Sequence, residues 1–117
     1  MLYRAKLEHA ELNGAVLPSA HLEKADLTNA NLVRADLKGA HLASAELVQA
    51  DLTGANLSGA QVDASTSFIG ATLTDADFFG VNVRCLDLAG VEYSKAKNFD
   101  RRDCKNNGVT LKGDTPL

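Results

Sequence analysis

The run Ala25-Asp26-Leu27-Thr28-Asn29-Ala30-Asn31-Leu32-Val33-Arg34-Ala35-Asp36-Leu37-Lys38-Gly39 states one five-residue unit three times over. A leucine stands at the centre of each unit, an alanine two places before it, and mostly polar residues elsewhere. The spacing extends in both directions. A large apolar residue falls at every fifth position from Leu2 to Val62, and an alanine stands two places before each one from Leu7 onward. Neither ordinary period accommodates this: a helix wants 3.6 and a strand wants 2. A five-residue step along a helix advances about 500°, roughly 140° net, so the leucines would spiral around every side. A strict short period instead signals a solenoid.

The leucines gather on one inner surface if each pentapeptide forms one straight side of a square coil of about twenty residues. Alternation along an extended segment then points the centre and the residue two before it inward. The intervening Asp, Asn, Thr, Ser, Lys, Gly and His point outward and suit a corner every five residues. The expected core includes Leu27, Leu32, Leu37, Leu47, Leu52, Leu57, Phe68 and Phe78.

Units such as Ala25-Asp26-Leu27-Thr28-Asn29, Ala50-Asp51-Leu52-Thr53-Gly54 and Ala55-Asn56-Leu57-Ser58-Gly59 resemble the pentapeptide repeat family, from Leu2 to about Tyr93. The resemblance implies an all-β solenoid, a right-handed quadrilateral β-helix. It also implies a bacterial, plausibly cyanobacterial, setting. Some members of that family bind DNA gyrase as DNA mimics, while most have no assigned function.

The register slips once. After Val62 the next centre is Phe68, six residues on, and the series resumes through Leu73, Phe78, Val83, Leu88 and Tyr93. One extra residue at a corner is expected across Asp63–Ser67, comparable to a bulge. Beyond it the small inner position enlarges to Val81, Leu86 and Val91, so the later coils must repack. About nineteen units give nearly five coils, a stub roughly 20–25 Å long.

Two segments are expected, a β-helix over 1–95 and a C-terminal cap and tail over 96–117. Ser94 could start a short helix with Ala96 and Phe99 on one side, Phe99 covering the last coil. A looser alternative continues the repeat through Phe99, Cys104 and Val109. The first coil has no comparable cover, which makes a head-to-head homodimer through the N-terminal coil one expectation and a module excised from a larger protein another.

The formal charge is −3. Twelve acidic and seven basic residues through Lys95 give −5, and five basic and three acidic residues after it give +2. No basic stripe suggests nucleic acid, no run is apolar enough for membrane insertion, and no signal-peptide pattern opens the chain. Cys85 and Cys104 are too few for a disulfide framework, so a reduced cytoplasm is the expected compartment.

Chemistry-bearing motifs are scarce. No P-loop, dinucleotide fingerprint, HExxH, CxxC or nucleophile elbow occurs. His21 and His41 fall on one ladder with Gln61, yet the spacing supplies no third ligand, so neither metal nor other cofactor is expected. Acidic ladders run over two neighbouring sides and include Glu11, Asp26, Glu46, Asp51, Asp87 and Glu92. They could imitate DNA phosphates or simply serve the corners and keep the rod soluble. Val48, Ile69 and Phe79 are apolar at outward positions and are candidate partner-binding residues. Cys85, between Arg84 and Leu86, could be redox-sensitive or an ordinary thiol. The expected function is a non-catalytic interaction scaffold with an unknown protein partner. A gyrase-binding DNA mimic and a regulatory or targeting module are the alternatives.

Overall fold

Each pentapeptide folds into a short extended edge followed by a tight turn. The computed structural model describes residues 2–83, 86, 88 and 90–99. Within a unit the amide three places after the centre donates back to the centre's carbonyl, as from Ala30 N to Leu27 O at 3.0 Å and Ala35 N to Leu32 O at 3.0 Å. The residue two after the centre has positive φ, while the one before it does not. A hydrogen-bonded turn with that combination is type II. Glycine takes the position at Gly39, Gly54 and Gly59, but Arg4, Lys24, Arg34 and Gln49 adopt it too, at φ of 57–59°. The left-handed conformation costs a non-glycine residue roughly 1–2 kcal/mol. The bonds between coils outweigh that cost.

Those bonds are regular. Leu27 N donates to Glu46 O at 2.7 Å, and Glu46 N donates back to Ala25 O at 2.9 Å. Parallel bridges join Lys6 to Asp26, Glu11 to Asn31, Val16 to Asp36 and His21 to His41. Four bridges in succession at a shift of twenty define a four-sided coil. The sides are numbered here by the centres of the first coil, Leu2, Leu7, Leu12 and Leu17.

The inner positions fill as the period demands. Leu27, Leu32, Leu37, Leu47, Leu52, Leu57, Phe68 and Phe78 have no solvent exposure, and the alanines from Ala25 to Ala60 are buried beside them. Burying a leucine contributes about 1.5–3 kcal/mol. Leu2, Leu7, Leu12 and Leu17 pack on this core but stay only partly buried.

The slip is a built turn. Bridges shift from twenty to twenty-one residues across it, as in Glu46–Ser67 and Asp51–Thr72, then return to twenty at Thr72–Glu92. Thr66 takes the inner alanine position and is buried. Its hydroxyl donates to Leu42 O at 2.8 Å and accepts from Asp63 N at 3.0 Å. The Asp63 carboxylate accepts from the amides of Ser44 and Ser65, both at 3.0 Å. The inserted residue is thus absorbed without leaving a buried hydroxyl unpaired.

At the far end the helix expected from Ser94 does not form within the described residues. Lys97 instead bridges to Asp77, with Lys97 N donating to Ala76 O at 2.7 Å. Sheet-type pairing therefore continues two residues past the expected boundary, because bonds to the coil below are available there. Asn98 then turns with φ of 58°, and Phe99 swings onto the core. Its ring lies 4.8 Å from Phe78, edge-on, and 4.7 Å from Tyr93, stacked. Residues 100–117, with Cys104, lie outside the described residues.

Candidate functional site

Outward positions are set by the turns. The residue before each centre is often Asp or Asn, and its side-chain oxygen accepts the amide two places on. Asp26 takes Thr28 N at 3.0 Å, Asn31 takes Val33 N at 3.1 Å, Asp51 takes Thr53 N at 3.0 Å and Asp77 takes Phe79 N at 2.9 Å. These are Asx turns, and they satisfy an amide that would otherwise compete for water.

This changes the meaning of the acidic ladders. Asp26 and Asp51 turn their carboxylates onto their own corners, and Thr53 adds a hydroxyl contact to Asp51 at 2.6 Å. Glu11 accepts from the Asn31 side chain at 3.1 Å, and Glu92 accepts from Ser94 N at 2.8 Å. Glu46 is exposed. Asp87 and Cys85 lie outside the described residues. The Asp26 carboxyl is held below the usual range by the Thr28 side chain and then by its amide. Asp63 is lowered first by the Ser44 amide, and Asp77 first by the Asn98 side chain, whose Nδ2 donates to Asp77 Oδ1 at 2.8 Å.

The apolar candidates separate. Val48 and Ile69 stand one above the other on the second side, Val48 half-buried and Ile69 39% exposed. Phe79, on the fourth side, is 66% exposed. The structure therefore does not bring the three together. Phe79 borders a cleft of about 680 Å³ whose other walls include Val81, Asn82, Ala96 and Phe99. Sequence reasoning missed Val16 and Tyr3, which are 73% and 49% exposed. Val16 was legible as an apolar residue at a position that is polar or charged in every other unit from Lys6 to Glu92.

The histidine ladder gains a member. The His21 and His41 rings stack with centroids 4.3 Å apart at 12°. Glu23 Oε2 lies 3.3 Å from His21 Nδ1, and one ligand atom from each of His21, Glu23 and His41 falls within 4.8 Å of the others. The sequence expectation of no third ligand thus misses Glu23. Reading across the coil in steps of two finds it, since His21 and Glu23 flank the inward Leu22 and both point out. The Glu23 carboxyl is lowered first by its own amide, then by the His21 hydrogen bond and the two imidazoles. Its Oε1 has almost no exposure, while the side chain as a whole is 29% exposed.

Known proteins share this architecture. A family model of pentapeptide repeats, in eight copies, matches residues 2–39 and 30–66. The crystal structure of the pentapeptide repeat protein Rfr23 from the cyanobacterium Cyanothece 51142 is 35% identical with a TM-score of 0.72, over 75% of this chain and 59% of that one. HetL, a pentapeptide repeat protein involved in heterocyst differentiation regulation from Nostoc sp. strain PCC 7120, is 27% identical with a TM-score of 0.51, over 75% and 47%. QnrB1, a plasmid-mediated fluoroquinolone resistance protein, is 18% identical with a TM-score of 0.51, over 92% and 65%, a likeness of fold alone. This chain thus spans less than two thirds of each neighbour's length. No curated protein sequence matches it. The four-sided coil agrees with the right-handed quadrilateral β-helix of these solved structures.

Proposed function

Because this chain belongs to the pentapeptide repeat family, we propose that it is a non-catalytic scaffold that holds a protein partner. The observation that carries the reading is Phe79. Its neighbour Phe78 fills the core, while Phe79 projects into water beside the cleft under Phe99. Outer positions are otherwise mostly polar, and an aromatic ring bordering a partly apolar cleft is what an interface anchor requires. Ile69, over the half-buried Val48, offers a second contact on the opposite side. The outer surface of a filled rod favours recognition over catalysis.

The test is capture from a cyanobacterial lysate by the immobilised chain, with Phe79→Glu and Ile69→Glu as separate controls. A protein retained by the wild type and lost with Phe79→Glu supports the reading. Identical captures would clear both residues and move suspicion to the acidic columns. The DNA-mimic alternative draws on Glu46, Glu11 and their neighbours and is read separately, as inhibition of gyrase supercoiling. Against it stand the Asp26 and Asp51 carboxylates, which are committed to their own turns.

For self-association we propose the N-terminal coil. Leu7, Leu12 and Leu17 are incompletely covered there, and the amides of Lys6, Glu11 and Val16 make no backbone bond within the described residues. Sedimentation should show a concentration-dependent dimer that Leu12→Glu abolishes. A concentration-independent monomer would reject it.

A further inference from the structure

We propose that His21, Glu23 and His41 bind a divalent transition cation of the zinc class on the first side of the coil. Both histidines immediately precede an inward leucine, and the parallel bridge between them fixes their rings in one column. Glu23, just after Leu22, brings its carboxylate to the same face, 3.3 Å from His21 Nδ1. Two imidazoles and a carboxylate are a ligand set that zinc takes, with bonds of about 2.0–2.2 Å.

The second observation is the carboxylate itself. Glu23 Oε1 has almost no solvent exposure, although the side chain as a whole is 29% exposed. Its other oxygen, Oε2, faces the His21 ring. A cation held between the Glu23 carboxylate and the two imidazoles would sit where the three groups meet.

The adjustment needed is confined to the side chains. Tetrahedral zinc holds two imidazole nitrogens roughly 3.3–3.4 Å apart. The stacked rings stand 4.3 Å apart between centroids and lie nearly parallel, so their in-plane nitrogen lone pairs run side by side, and each ring must rotate about its side-chain bonds for the pair to converge on one ion. The backbone need not move, because the bridge already sets the coil spacing. The His21 side chain is 44% exposed, which leaves the fourth position open to water or to an external ligand. Bound there, the ion would fasten two successive coils.

The experiment titrates zinc chloride into the full chain under reducing conditions, following the heat of binding and the ring resonances of the histidines by NMR. Cys85 and Cys104 can take zinc as well, so the histidine resonances decide the site. The expected result is joint movement of His21 and His41 while His9 stays still. His21→Ala and His41→Ala should each weaken that binding roughly tenfold or more, and Glu23→Gln should weaken it measurably. All three side chains project outward, so circular dichroism should show the variants folded. Still His21 and His41 resonances at millimolar zinc would overturn the proposal. So would equal movement of His9, or affinity unchanged in the His21→Ala, His41→Ala double variant.

Discussion

Leu7 and Leu27 stand one above the other on the second side, each with an alanine two places before it, yet they are not equivalent. Leu27 has a coil on both sides and no exposure, whereas Leu7 has a coil on one side and remains partly open. The pentapeptide by itself therefore does not make a core. Stacking does, and each coil's stability depends on its neighbours, as in other one-dimensional repeat arrays. The corners differ as well. Asp26, Asn31 and Asp36 in the second coil each hold an amide, whereas Lys6, Glu11 and Val16 in the first coil hold none.

The largest effect should come from Leu27→Ala, about 2–5 kcal/mol by urea unfolding. Leu7→Ala should cost about half as much or less, since it leaves a smaller enclosed void. Equal losses would break the comparison. Thr66→Ala should cost about 1–3 kcal/mol, because Asp63 N then loses its buried acceptor; Thr66→Ser should recover most of it. Lys6→Asn should gain a few tenths up to about 1 kcal/mol by giving the first coil an Asx turn onto Glu8 N. Val16→Asn should gain nothing, since the matching position is Pro18, which has no N–H.

Acid should loosen the stitched coils. Asp26, Asp63 and Asp77 have folded pKa values below the ordinary one. Their stabilisation is complete above the unfolded value near 3.8 and is lost as pH falls from there through the lower folded values. Urea midpoints should fall across that window, and Asp63→Asn should flatten part of the fall. The smallest effects belong to Ile69→Glu and Phe79→Glu, within about 0.5 kcal/mol of wild type, because neither side chain supports the core. A larger destabilisation would make Phe79 a structural residue.

Most of the fold was readable from spacing. The inward leucines, the alanine partners and the slip before Phe68 follow from counting in fives. What escaped depended on polar detail. Thr66 reads as a turn residue in sequence, and only its bonds to Leu42 and Asp63 reveal an inner position. The tail suggested a helix because Ala96 and Phe99 fit a helical face, while pairing of Lys97 with Asp77 won locally. Glu23 went unnoticed beside His21 because ladders were read along the coil axis and not across it. The acidic columns were visible, but not that Asp26 and Asp51 were already engaged at their corners.

The corners occupied by Arg4, Lys24, Arg34 and Gln49 carry one further consequence. Their left-handed backbone is enforced by neighbouring coils, whatever residue stands there. Side-chain identity at these points is thereby released from folding duty. Such positions form a lattice of replaceable pixels on a fixed frame, where charge or bulk can be redrawn for a modest and nearly uniform cost. A surface of that kind can change its recognition without changing its scaffold, and designed binders could be written onto it at the same points.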